Sequence, residues 1–167
     1  DVGDRRKAFD EIDKCVNEYG FKAIIMEPTS YRIPMYMDDR RLYPLYARCA
    51  DIGLPVFVLM GGQSGPDVGY SNPVHIDHVA TEMPELKIVV THGAWPWVTQ
   101  MIQVARRRKN IYLSADIHLP FPGGDQYVDA ANVYLGDRFC YGTAYPFSPL
   151  LPYYEKFKGM GIKEELV

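Results

Sequence analysis

Cysteine is scarce. Cys15, Cys49 and Cys140 are odd in number and widely separated, so neither a disulfide framework nor a CxxC zinc knuckle is available, and reduced, buried thiols are expected. Positive charge is also in short supply: 18 Lys and Arg against 21 Asp and Glu leave a formal net charge of -3. The lack of a cationic excess to displace counterions from phosphates argues against nucleic-acid binding as the main task. No apolar run approaches the roughly 18–20 residues that cross a bilayer, and the opening Asp1-Val2-Gly3-Asp4 holds no signal-peptide core. A soluble, cytoplasmic protein without membrane or nucleic-acid partners is the expectation. Three reaction motifs are missing as well: a GxSxG elbow, a GxGxxG or GK[ST] phosphate loop, and a Cys beside a His. Their absence leaves little support for nucleophilic acyl transfer or nucleotide binding.

What the sequence does hold is 13 tyrosines, 13 prolines and 14 glycines in 167 residues. That mixture excludes a helical bundle and points to many loops and ring-lined surfaces. Apolar residues recur at helical spacing over residues 6–19 (Ala8, Ile12, Cys15, Val16, Tyr19) and 38–52 (Leu42, Leu45, Tyr46, Cys49, Ile52), the second capped by Asp38 or Asp39. Further helices are expected over 73–83, 97–108, 127–135 and 149–160, with another starting near Lys163. Between them lie short apolar runs, 21–26, 55–60, 87–91, 110–114 and 138–142, of the length and β-branched content of strands covered on both faces. Five strands separated by helices make β-α units and a parallel sheet in one α/β domain over 1–167. Two architectures satisfy this order: part of a (βα)8 barrel, or an open doubly wound parallel sheet.

In both, reactive groups sit in the loops after the strands, here 27–38, 61–72, 92–96, 115–126 and 143–148. His92 follows an apolar strand directly and precedes Gly93-Ala94-Trp95-Pro96-Trp97, a place suited to a general base, an oxyanion donor or a metal ligand. The alternative is a histidine bonded to nearby backbone. Asp116 and His118 stand two apart after the fourth strand, and in an extended chain they would point the same way, so with His92 they can form an N/O set for a metal. Glu27 ends the first strand, either as a buried acid or as scaffold paired with Arg32, Arg40 or Arg41. His75 and His78 share a helix face, but that helix is an outer-layer element, which argues against a metal role. Residues 61–66 match a phosphate cradle only loosely and are better read as a flexible loop.

Four ordered stretches resemble the amidohydrolase family, in the branch of aminocarboxymuconate semialdehyde decarboxylase and the resorcylate-type decarboxylases. They are Gly20-Phe21-Lys22-Ala23; Leu42-Tyr43-Pro44-Leu45-Tyr46 through Gly53-Leu54-Pro55-Val56; Pro84-Glu85-Leu86-Lys87-Ile88-Val89 with Thr91-His92-Gly93; and Gly142-Thr143-Ala144-Tyr145-Pro146-Phe147. The resemblance implies that the five strands are the fourth to eighth of a TIM barrel. It also implies His92 as the catalytic histidine, with a fifth-strand histidine and an eighth-strand aspartate as metal ligands. Leu59 and Ala144 stand at those two ligand positions, and neither carries a lone pair for a metal, so no ion is expected there. A divalent metal such as zinc would need ligands from upstream.

The resulting expectation is a hydrolase or decarboxylase acting on a small carboxylated, aromatic or conjugated substrate, with a degenerate metal site and His92 as general acid/base. Metal-independent lactonases of the same superfamily offer a parallel by resemblance. Arg32, Tyr31, Trp95 and Tyr145 are the expected substrate contacts, the arginine for a carboxylate and the rings for a flat ligand. The alternative is a non-catalytic barrel fragment that binds or pairs subunits. Because five strands cannot close a ring of eight, a partner copy or the missing N-terminal half is expected to cover the open edges.

Overall fold

Runs such as Val56-Phe57-Val58-Leu59 and Ile88-Val89-Val90-Thr91 favour extended backbone because branched Cβ atoms are stiff, and they are apolar on both faces. In the computed structural model, which describes residues 2–167, they pair as the parallel strands β1 (Ile24–Met26), β2 (Val56–Leu59), β3 (Ile88–Thr91) and β4 (Ile111–Leu113). The sheet order is β1-β2-β3-β4, with Ile24 against Val56, Val56 against Ile88 and Ile88 against Ile111. This order never reverses. A doubly wound sheet has a switch point where it does, so that alternative is excluded and the barrel segment stands. β3 is the most covered strand: Ile88, Val89 and Val90 are all buried, each worth roughly 1.5–3 kcal/mol in removed apolar surface.

Among the described residues six α-helices connect and cover the strands: α1 (Arg5–Asn17), α2 (Tyr43–Asp51), α3 (Pro73–Glu82), α4 (Val98–Arg107), α5 (Asp125–Ala130) and α6 (Leu150–Lys158). A π-helical turn, Ala131–Leu135, continues α5 through the stretch expected as one helix. The helix expected near Lys163 is a 3₁₀ turn, Glu164–Leu166.

Three expectations need correction. The helix expected from Asp38 starts only at Tyr43, with Pro44 in its first turn. Asp39 does not cap it, because its carboxylate is held by Arg41 through the main-chain N–H (3.0 Å) and the guanidinium (2.8 and 2.7 Å). The fifth strand is reduced to one parallel bridge, Leu113 with Phe139. There Arg138 is buried, and its Nη1 donates to the carbonyls of Ala105 (2.7 Å), Arg108 (3.0 Å) and Ile111 (3.1 Å). The residue that would extend the sheet instead ties the end of α4 to β4. Of the three thiols only Cys49 is buried, with burial pushing its pKa up to about 11; Cys15 and Cys140 are half-buried.

Asn110 has a similar role in the preceding β-α unit. Its Nδ2 donates to Ala80, Met83 and Leu86 carbonyls at 3.2, 3.0 and 3.1 Å, satisfying the orphan acceptors at the end of α3. With both helix ends pinned to their strands, the loops at the opposite, C-terminal edge of the sheet start from fixed positions.

Candidate active site

Immediately after β3 the backbone turns left-handed at three successive residues, His92 (φ 61°), Gly93 (φ 63°) and Ala94 (φ 57°). For a residue with a Cβ such a conformation costs on the order of 1–3 kcal/mol and persists only when its surroundings hold it. Here every amide in the turn has a partner. His92 N–H donates to Asp116 Oδ2 (2.8 Å), Gly93 N–H to Ser114 O (2.9 Å) and Ala94 N–H to Met60 O (2.9 Å). Tyr127 Oη donates to Gly93 O (2.9 Å), and a Cβ on Gly93 would stand 2.8 Å from that ring.

The second oxygen of Asp116 reaches the side chain of His92: Oδ1 lies 2.7 Å from Nδ1. It also accepts the N–H of Ile117 at 2.6 Å. Asp116 is itself left-handed (φ 34°), and its carbonyl accepts the hydroxyl of Tyr153. Burial holds the Tyr127 and Tyr153 hydroxyls well above the usual phenol range, with the Asp116 charge adding to it, so both act as neutral donors.

His118 completes the cluster. It does not share an extended strand with Asp116, as expected; the two open and close a 3₁₀ turn, Asp116–His118, which brings both back toward β3. Its ring lies flat against Trp95 (5.3 Å, 5°) and edge-on to His92 (5.3 Å, 80°) and Phe121 (5.0 Å, 84°). Desolvation, and secondly the neighbouring His92, push its pKa below the usual histidine range, so the neutral form is favoured. Its buried Nδ1 has no hydrogen-bond partner. Gly61, from the loop after β2, packs on the same rings: a Cβ there would meet His92 Cβ at 2.5 Å and His118 Cε1 at 3.2 Å. The glycine is required by close approach, rather than by the flexibility that the sequence suggested.

The structure thus brings His92, Asp116, His118 and Trp95 together. It places Tyr31 and Arg32 elsewhere, in a hollow lined by Val2, Gly3, Ile33, Met35 and Arg41. Tyr145 is exposed; its N–H donates to Thr143 Oγ1 at 3.2 Å. Glu27 accepts from Ser30 Oγ (2.6 Å); among the described residues it forms no ion pair with Arg32, Arg40 or Arg41, of which Arg40 is paired with Glu82 and Arg41 with Asp39. Sequence reasoning had Asp116 only as a metal ligand and missed Tyr127 and Tyr153. The neighbouring order of β3 and β4 is the signal that would have put Asp116 beside His92.

Two groups of described residues offer ligand atoms all within 4.8 Å of one another: His92, Asp116 and His118, and separately Asp38, His75 and His78. In the first group both Asp116 oxygens already accept hydrogen bonds, and His92 turns its Nδ1 to one of them.

The amidohydrolase family model matches residues 1–166. An uncharacterised TIM-barrel protein from Bordetella bronchiseptica is 45% identical, with a TM-score of 0.92 over 97% of this chain and 58% of its own. A dihydroxybenzoic acid decarboxylase from Polaromonas sp. JS666, solved with manganese and 2-nitroresorcinol, is 18% identical (TM-score 0.72; 98% of this chain, 62% of its own). A 2,6-dihydroxybenzoate decarboxylase from Rhizobium is 16% identical (TM-score 0.72; 99% and 64%). No curated protein matches. The chain therefore spans about three fifths of the barrel proteins it superposes on. No helix among the described residues is long and apolar enough to cross a membrane.

The manganese of the Polaromonas protein raises the question of a metal here. Leu59 and Ala144, the positions the resemblance gives to ligands, are hydrocarbon, and each Asp116 oxygen is held by a main-chain N–H, of His92 and of Ile117, whose proton a metal cannot displace. With hydrocarbon at those two positions, the chain's own residues do not complete the ligand set the resemblance implies for such an ion.

Proposed function

Because this chain belongs to the amidohydrolase family, we propose that it carries the acid/base half of an enzyme acting on a small carboxylated, aromatic or conjugated substrate by hydrolysis or decarboxylation, with His92 as general acid/base. The observation that carries this reading is the double hold of Asp116 on His92, 2.8 Å to the amide and 2.7 Å to Nδ1. A carboxylate only accepts, so Nδ1 keeps the proton and Nε2 is left free to take or give one. The same carboxylate stabilises the imidazolium that forms when Nε2 is protonated.

In decarboxylation, Nε2–H delivers its proton to the ring carbon as the C–C bond to carbon dioxide breaks. In hydrolysis, Nε2 removes a proton from water as its oxygen attacks the carbonyl, and the same Nε2–H then protonates the leaving oxygen as the bond from the carbonyl carbon to it breaks. Trp95, His118 and Phe121 pack on one another beside His92 and supply the apolar, aromatic surroundings that suit a flat substrate. The Polaromonas and Rhizobium proteins, which act on dihydroxybenzoates, motivate the substrate class.

The test is turnover of a panel of hydroxybenzoates and unsaturated lactones by the protein at its natural length, beside His92→Asn. Loss of turnover by roughly 10²–10⁴-fold in a folded variant is expected. Full activity without the imidazole would refute the assignment.

A further inference from the structure

Asp38 lies in the loop that leaves β1, and His75 and His78 in the first two turns of α3, yet the three converge. Asp38 Oδ1 is 2.9 Å from His75 Nδ1 and Oδ2 is 2.6 Å from His78 Nδ1. The helix spacing of three sets the two imidazoles side by side. The third donor arrives from 37 residues upstream of His75, which is why no sequence motif marks it.

The ring of His75 is fixed in its attitude by Tyr36, stacked at 4.2 Å and 22°, and Tyr36 is backed by Tyr70 at 4.3 Å and 18°. His78 is about half exposed, leaving an open side. The competing charges are already engaged: Arg40 forms a two-point pair with Glu82 at 2.6 and 3.1 Å. Two imidazoles and one carboxylate, with ligand atoms all within 4.8 Å, are the donor types and number of an open zinc site.

We propose that Asp38, His75 and His78 bind one divalent transition metal, with zinc the best match, and that the ion pins the loop after β1 to α3. Binding replaces the protons now shared between Asp38 and the two Nδ1 atoms, one neutral imidazole at each side and a carboxylate oxygen at the third position, and leaves a fourth position for water. The site is separate from His92 and does not depend on any catalytic reading of it.

The experiment titrates chelator-treated protein with Zn²⁺ alone by calorimetry, and with Co²⁺ alone by visible absorption, together with thermal unfolding. One equivalent of Zn²⁺ is expected, together with a rise in Tm and the visible bands of four-coordinate Co²⁺. Single variants His75→Gln and His78→Gln should weaken binding by more than the roughly 10–100-fold typical of a lost outer-shell partner. The double variant should lose the equivalent and the Tm rise. His118→Gln should keep both. His78 is exposed enough for its replacement to leave the fold intact, which circular dichroism checks. Absence of Zn²⁺ uptake by folded wild type, an unchanged stoichiometry in the double variant, or loss of the ion in His118→Gln would each overturn the proposal.

Discussion

Asp116 holds His92 at two points, taking the main-chain N–H on one oxygen and facing Nδ1 with the other, at 2.8 and 2.7 Å. One carboxylate therefore sets both the left-handed backbone of the histidine and the orientation of its ring. Backbone strain and side-chain orientation have the same cause here.

Replacing Asp116 by Asn should separate the two roles. The amide oxygen can still accept the His92 N–H, but the ring loses its anionic partner. We expect a fall in kcat of roughly 10²-fold or more with little change in KM, and a displaced pH–rate profile. Steady-state kinetics across pH checks this. An unchanged profile would mean that Asp116 only shapes the turn.

Gly61→Ala places a methyl 2.5 Å from His92 Cβ, and Gly93→Ala puts one 2.8 Å from the Tyr127 ring at a φ of 63°. Both should destabilise by about 1–3 kcal/mol. The first should also lower activity more than its stability loss explains. Urea unfolding alongside turnover measures both.

Arg138→Leu removes a buried guanidinium and leaves the carbonyls of Ala105, Arg108 and Ile111 without their donor. Leaving buried acceptors unpaired costs roughly 1–3 kcal/mol each for the worst-placed groups. A drop in Tm of several degrees is expected by calorimetry. A stability equal to wild type would show that water replaces the donor without penalty.

The pKa of His118 is lowered by burial and by His92. The unfolded chain therefore binds a proton that the folded one refuses, so stability rises with pH through this range. His118 contributes its full share above about pH 6.5, the unfolded value, and that share is lost on acidification below it. His118→Phe should flatten the acid side of the stability–pH curve, as read from urea midpoints between pH 5 and 8. A curve parallel to wild type would assign the acid sensitivity to other groups.

β1 is paired only with β2 among the described residues, and Ile25 on it is 66% exposed. At the other end Phe147 and Leu151 are also exposed. Such surfaces favour association. Light scattering on residues 1–167 alone should give a mass above the 19.1 kDa of one chain; a stable monomer would contradict this.

Much of this could be read along the chain. Runs such as Ile88-Val89-Val90 and the i, i+3, i+4 spacing in Leu42, Leu45, Tyr46 and Cys49 report burial one residue at a time, and burial is what selects strand from helix. His92 stood out because it follows such a run, at the edge where strands end. The fifth strand misled because Arg138 reads as a polar strand residue, although its neighbours in space are carbonyls 27 to 33 residues upstream.

The amino-acid sequence alone determined the β-α alternation, the position of His92 at a strand end, and the hydrocarbon at Leu59 and Ala144. Those follow from side-chain chemistry and from periods of two or 3.6 residues, which are local. Only the tertiary structure decided that Asp116 clamps His92, that Trp95 lies flat on His118, and that Asp38 meets His75 and His78. Each joins residues brought together by strand register and helix packing, so the distances between them are set by the whole core rather than by any stretch of chain.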